Sequence, residues 1–197
     1  MTTIPITLNH TRTASSILLL LTVSVSVTVA GPARLDIHSV DFYNFIYYSG
    51  SWSGYITLRK GRYSKKDPTG MNLFTRSRLI RLEYADLKGD GQEEAIITIR
   101  TRLNGSMPVA VDYYVFECRD GKPHQLLHRW QEGPEAICLG ERSVTVAATW
   151  WATGDPHCCP TYTETITYCW RATKFRVASR RLQRNYPFQN PRPLKCK

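Results

Sequence analysis

GDGQEEAIITIRTRLNG, residues 89–105, is the stretch whose reading decides the fold. In an extended chain Ala95, Ile97, Ile99 and Leu103 fall on one side, and Glu94, Thr98, Arg100 and Arg102 on the other. A repeat of two is the mark of a strand with one buried side. Asn104-Gly105 ends the run with a strong hairpin signal, because both residues accept the positive φ of a type I′ turn. The pattern continues outward on both sides. RLIRLEYADL (residues 78–87) precedes the Gly-Asp-Gly turn, and SMPVAVDYYVFEC (residues 106–118) follows Asn104-Gly105. A second turn signal, Asp120-Gly121, leads into KPHQLLHRW (residues 122–130). Four consecutive antiparallel strands are expected.

Further strands flank these four. YITLRKGRYS (residues 55–64) predicts a hairpin centred near Lys60-Gly61. SVTVAATWW (residues 143–151) alternates, with Val144, Val146, Ala148 and Trp150 on one side. TYTETITYCW (residues 161–170) places Tyr162, Ile166, Tyr168 and Trp170 on one face, and Thr161, Thr163, Thr165, Thr167 and Cys169 on the other. Branched and aromatic residues at such places suit a pleated, half-buried surface. No capped amphipathic helix stands out. The expected fold is all-β, an antiparallel meander forming a sandwich or an open barrel and stapled by disulfides.

Residues 1–30 read as a secretory signal: one cation, Arg12, then the 14-residue apolar run ILLLLTVSVSVTVA, ending at Ala30 before Gly31-Pro32. The run is short of the roughly 20 residues of a bilayer span. The expectation is a secreted or periplasmic protein with no transmembrane segment once the signal is removed. Residues 31–182 then form a single β-rich domain, and residues 183–197 a basic, proline-containing tail. All six cysteines, Cys118, Cys138, Cys158, Cys159, Cys169 and Cys196, follow the signal. An even number in an oxidising compartment predicts disulfides, with the pairing open. Adjacent Cys158 and Cys159 point to opposite faces of an extended segment, so each can tie a different element. Cys196 lies in YPFQNPRPLKCK (residues 186–197), whose three prolines favour extended structure, and a tail folded back and pinned by that cysteine is expected.

The net charge of +10 is unevenly spread. Residues 31–170 hold sixteen Lys and Arg against sixteen Asp and Glu, whereas from Arg171 onward there are nine basic residues and no acid. Arg180, Arg181, Arg184, Arg192, Lys195 and Lys197 are therefore the expected contacts for a polyanion, such as an anionic envelope polymer or an acidic carbohydrate. A solvated tail without a dedicated partner fits the same composition. No nucleic-acid recognition motif accompanies the charge, so nucleic acid is not the expected partner.

Asp86, Asp90, Gln92 and Glu94 stand at the first, fifth, seventh and ninth places of a calcium-type loop, which makes calcium a candidate ligand. Lys88 stands at the third place, where an acid belongs, and it would remove an oxygen and repel the ion. A plain turn explains the same residues: Asp86 accepts backbone N–H groups, while Gly89 and Gly91 supply left-handed conformations.

No set of catalytic residues is evident. His124 and His128 share a strand face but stand about 13 Å apart by strand rise, too far for one metal. Glu93 and Glu94 are neighbours and face opposite ways. Asp155, His157 and Cys158 could assemble a thiol–imidazole site, or His157 with its neighbouring cysteines a zinc site. These leave a secreted enzyme or metal protein as the alternative to a non-catalytic binding module. Trp52, Tyr55, Trp151 and Tyr162 are candidates for stacking on sugars, although most of the eleven tyrosines and five tryptophans are expected to fill the core.

In order along the chain, SVDFYNFIYY, YITLRKGRY, YADLKGDGQEEAIITI, VFECRDGKP and CCPTYTETITYCW resemble segments of a group of small, secreted bacterial proteins of unassigned activity. The group carries a Tyr-x-Asp-Leu-x-Gly-Asp-Gly-x-x-Glu-Ala motif, a Gly-Lys-Pro hairpin and a Cys-Cys-Pro-x-Tyr segment, and the resemblance covers most of residues 38–178. It implies export and a β-rich fold, and no activity. The Gly-Asp-Gly piece also resembles a single FG-GAP/VCBS-type unit, whose repeats form propeller blades that often bind calcium. One unit does not make a propeller. Lys88 and Cys169 depart from these patterns, Cys169 standing where the group more usually has arginine.

Overall fold

A computed structural model describes residues 36–50, 54–66, 74–103, 110–133, 136–156 and 160–185. Its strands are β1 (Ile46–Ser49), β2 (Gly54–Thr57), β3 (Arg62–Lys66), β4 (Phe74–Ala85), β5 (Glu94–Leu103), β6 (Ala110–Arg119), β7 (Lys122–Glu132), β8 (Ile137–Gly140), β9 (Ser143–Trp150), β10 (Tyr162–Arg171) and β11 (Lys174–Arg184). They form three antiparallel sheets, ordered β1-β2, β3-β4-β5-β6-β7 and β11-β10-β9-β8. The four expected central strands are β4 to β7, paired as consecutive neighbours. None of the sheets closes on itself, so the arrangement is sandwich-like and the open-barrel alternative falls away.

The five-stranded sheet is covered on both sides. Ala95, Ile97, Ile99, Tyr114 and Phe116 pack with Tyr47, Ile56 and Leu58 of the β1-β2 hairpin, and with Ile37 and Phe42 in two short 3-10 turns. On the opposite face Ile96, Val111, Tyr113 and Val115 pack with Ile137, Val144, Val146, Ile166, Tyr168 and Phe175 of the four-stranded sheet. Residues 94 to 99 are consequently all buried, not every second one as a one-sided strand requires. Near-continuous apolar runs are what sheets buried on both faces need.

Buried polar groups stitch the layers together. Tyr113 Oη accepts from Gln131 Nε2 at 3.0 Å and from the Ala136 N–H at 3.1 Å. Gln131 also donates to the Ala147 carbonyl, and Thr149 Oγ1 donates to the Glu132 carbonyl at 2.7 Å. Asp112, fully buried, accepts from Ser49 Oγ and the Gly50 N–H at 2.9 Å each. Satisfied buried groups fix one relative placement of the layers, because displacing them would strand polar atoms in a low-dielectric interior.

Turn chemistry carries most of the connections. Asp120 and Gly121 (φ 51° and 72°) join β6 to β7 as expected. Lys60 and Gly61 (φ 52° and 73°) also turn the chain, closed by a bridge between Arg59 and Arg62. The flanking strands do not continue that pairing, for β2 joins β1 and β3 joins β4. The chain changes sheet at this turn. Asn104-Gly105 lies outside the described residues. β1, β8 and β11 are additions to the sequence-based expectation, and β11 carries the start of the basic tail through Arg184 as an edge strand.

The disulfide framework needs correction. Cys118 and Cys169 are free thiols, both half-buried. Cys118 faces Pro123 across β6-β7, and Cys169 faces Ser143 and Arg176 across its two neighbours, so no cysteine stands at a bondable position on the paired strands. Cys138 is disulfide-bonded, and no disulfide joins two described residues. Cys158, Cys159 and Cys196, with the expected pinning of the tail, lie outside the described residues, as does the expected signal.

Two-sided burial of β5 has a direct test. Ile96→Ala and Ile97→Ala, which point into different layers, are each expected to lower the unfolding free energy by about 2–5 kcal/mol in urea titrations. A near-neutral Ile96→Ala would mean that only one face of β5 is covered.

Candidate functional site

The Gly-Asp-Gly loop connects β4 to β5. Both Asp86 oxygens are committed to backbone donors: Oδ1 accepts from Gly89 at 2.6 Å and Asp90 at 3.2 Å, and Oδ2 from Gly91 at 2.8 Å. Gly89 and Gly91 (φ 73° and 79°) allow this wrap. Asp90 Oδ1 accepts from the N–H of Gln92 at 3.0 Å, and Glu94 Oε2 accepts from Leu87 at 2.8 Å and Lys88 at 3.2 Å. Those hydrogen bonds, to Gly91 first, hold the Asp86 carboxyl below its ordinary pKa.

The Lys88 ammonium lies among the remaining carboxylate oxygens. Nζ is 2.9 Å from Glu117 Oε2, 3.0 Å from Asp90 Oδ2 and 3.4 Å from Glu94 Oε1. Burial works against its charge, but hydrogen bonds with Glu117 and Asp90 and the charge of Glu94 outweigh it and raise the Lys88 pKa. Burial likewise opposes ionisation of Glu117 and Asp90, and Lys88 nevertheless keeps both below the usual carboxylate range. Glu94 is raised by its burial. The expected calcium set of Asp86, Asp90, Gln92 and Glu94 does not fit an ion: Asp86 faces N–H donors, and a lysine cation occupies the place between Asp90 and Glu94.

A concentration of positive charge lies elsewhere, on β3-β4-β5. Register places Arg62 opposite Arg78 and Arg78 opposite Arg100, one row across three strands. The next row runs Ser64, Arg76, Arg102. Thr75, Ser77 and Leu79 alternate with these arginines and are buried, so Arg76 and Arg78 face outward. Arg62, Arg76, Arg78 and Arg102 are exposed and Arg100 is half-buried. Two grooves of about 470 and 560 Å³ share Arg62, Arg78 and Ile80, and no described acidic residue lines either. Arg81 marks one border: it is ion-paired with Glu83 at 2.8 Å and donates to the Ile137 carbonyl of β8 at 3.1 Å. Counting residues 31–170 as neutral hid this face. The available signal was the repeated Arg-x-Arg of residues 76–78 and 100–102, which a hairpin register brings side by side.

The described arginines of the expected polyanion site divide between faces. Arg180 and Arg184 stand opposite Ile166 and Tyr162, whereas Arg181 stands opposite Thr165. Arg180 is neutralised by the buried Glu164. Arg192, Lys195 and Lys197 lie outside the described residues, as do His157 and Cys158. Asp155, their suggested partner, is committed to a loop clasp, accepting from Thr161 Oγ1 at 2.5 Å and from the N–H groups of Thr161 and Ala152 at 2.7 Å each. Those bonds, the Thr161 hydroxyl first, lower its pKa.

A third feature borders the β1-β2 hairpin. His128 Nε2 lies 2.8 Å from Asp112 Oδ1, and its ring stacks on Tyr114 at 4.6 Å. Asp112 bridges Ser49 and His128, so this is not a relay in which histidine would activate the serine. Tyr48, Tyr55 and Trp130 are exposed nearby, with Tyr48 6.1 Å from His128 and 5.4 Å from Tyr55 between ring centres. Of the aromatics suggested by the sequence, Tyr55 is the most exposed at 76%, Trp151 and Tyr162 are half-buried, and Trp52 lies outside the described residues.

Set against protein-family profiles, curated proteins and solved structures, the chain matches none.

Asp86, Asp90, Glu117 and Asp155 all have folded-state pKa values below their ordinary ones. Each therefore contributes stability that is complete above the unfolded-chain pKa and lost as pH falls through the folded one. Denaturant titrations from about pH 5 down to about pH 2 should show a progressive loss of stability, shallower in Asp86→Asn. An identical slope in that variant would contradict the hydrogen-bond account of the loop.

Proposed function

We propose that the protein is an exported, non-catalytic β-domain that binds an anionic polymer through Arg62, Arg76, Arg78, Arg100 and Arg102. The observation that carries this reading is the register that sets arginine opposite arginine. Like charges directly opposite in a sheet are destabilising. Four of the five guanidinium side chains are exposed, and on β4 and β5 the opposite face, with Thr75, Ser77, Ile99 and Thr101, is buried. A regular row of planar, always-charged donors suits repeated oxyanions, each able to accept a bidentate pair. The signal-like residues 1–30 support export, and a basic tail can extend the contact. The thiol–imidazole alternative draws no support from Asp155, which clasps its own loop.

The test is retention of the full chain on immobilised long-chain polyphosphate at low salt. Retention should fall steeply as salt is added. Arg76→Gln combined with Arg78→Gln should weaken it at least about tenfold, while stability stays level or rises by roughly 0.2–1 kcal/mol as the opposed charges go. Arg181→Gln, on β11, should bind as the parent does. A double variant retained like the parent would overturn the assignment.

One specific feature favours a second reading, carbohydrate binding. The exposed rings of Tyr48, Tyr55 and Trp130 border the partly exposed His128, whose orientation Asp112 fixes. Rings of this kind stack on sugar faces. Salt-insensitive retention on a neutral polysaccharide, abolished by Trp130→Ala, would select this reading. Retention indifferent to that change would remove it.

A further inference from the structure

We infer that Lys88 is a resident cation, its ammonium holding the Gly-Asp-Gly loop closed in the place where loops of this pattern hold a divalent ion.

Three observations carry the inference. First, Lys88 Nζ joins three carboxylates from separate places in the fold: Asp90 in the loop, Glu94 at the start of β5 and Glu117 near the end of β6. Tying a loop to its supporting strands is the task a bound ion performs. Second, the contacts suit a single ammonium: Nζ donates to Glu117 Oε2 at 2.9 Å, lies 3.0 Å from Asp90 Oδ2 and reaches Glu94 Oε1 as an ion pair at 3.4 Å. Calcium asks for 6–8 oxygens at about 2.3–2.6 Å. Third, the lysine side chain is only 12% exposed and the Glu94 side chain 1%. Removing the ammonium would leave a nearly buried carboxylate without its counter-charge, which is strongly unfavourable.

The difference from a metal loop is one of linkage. A bound ion stabilises the fold by an amount that rises with the logarithm of its free concentration once that exceeds Kd, so chelation loosens the loop. A tethered ammonium cannot dissociate, and the turn becomes independent of the ion content of its surroundings. Asp86 has a separate task throughout, since three backbone donors surround its oxygens. The lysine at the third place is thus a replacement for the ion and not a flaw in an ion site.

Thermal melts of the full chain in chelator-treated buffer, with and without millimolar calcium chloride, test the inference. The parent should melt at the same temperature in both. Lys88→Gln should melt lower in chelator-treated buffer, because the carboxylates lose their cation. Lys88→Asp restores an acid at the third place; it should melt lower than the parent without calcium and gain at least about 4 °C when calcium is added. A parent whose melting temperature rises with calcium as far as that of Lys88→Asp would overturn the inference. So would a Lys88→Gln chain as stable as the parent in chelator-treated buffer, a result that can be read even where Lys88→Asp does not fold.

Discussion

Burial of β5 from both sides is the constraint on which the other features of this molecule depend. With Ile97 and Ile99 against the β1-β2 hairpin and Ile96 beneath the four-stranded sheet, the strand has no solvent face in its middle. Its neighbours inherit the same situation, Tyr113 and Tyr114 of β6 each entering a different core. Apolar burial supplies the driving force, and its nondirectional nature leaves the relative placement of the layers to be fixed by other means. Hydrogen bonds accepted by Asp112 and Tyr113 and donated by Gln131 provide that fixing, because each has a partner on another layer or at its border.

Such an arrangement also decides where chemistry can stand. A sheet covered on both faces leaves its strand ends and turns as the polar places, and the two charge clusters occupy opposite ends of β5. At its start Glu94 meets Lys88 and Glu117. At its far end Arg100 and Arg102 stand beside Arg78 and Arg76. One strand face therefore changes character along its length, from the carboxylate at Glu94, through the buried Ile96 and Thr98, to the arginines. The β-bulge at Ile80 lies at this change, between Leu79 opposite Ile99 and Arg81 opposite Thr98. An extra residue there bends the strand and alters its twist. It lets Arg81 turn toward β8 while Arg78 and Arg76 remain on the open rows.

Much of the fold was legible in the residues. Alternation in residues 93–103 and the Asp120-Gly121 turn identify the β4–β7 meander, because side-chain period and positive φ are local properties. What escaped were relations between distant segments. Nothing local in Lys60-Gly61 tells that its flanking strands join different sheets. Ile96 shares a side with Glu94 and Arg100, so a one-sided reading leaves that side to solvent and misses the layer that covers its middle. The cysteines mislead for the same reason, since an even count speaks of the compartment and not of which strands face each other. Charge was misread by being summed. Sixteen against sixteen cancels on paper, yet register gathers Arg62, Arg76, Arg78, Arg100 and Arg102 beside grooves that no described acidic residue lines. Lys88, by contrast, was visible as the residue at odds with its loop, and its neighbours across the fold turn that oddity into an explanation.

The two clusters stand in opposite relation to stability. Around Lys88 every close charge is of the other sign, Lys88, Asp90 and Glu117 hold one another ionised against burial, and the cluster ties the loop to β5 and β6. Across β3-β4-β5 the facing charges are alike and the fold gains nothing from their proximity. Screening by salt softens that repulsion without reversing it. An anion laid along the rows would reverse it, turning mutual repulsion among the arginines into a shared attraction. That asymmetry separates a cluster that supports the fold from one that the fold merely carries.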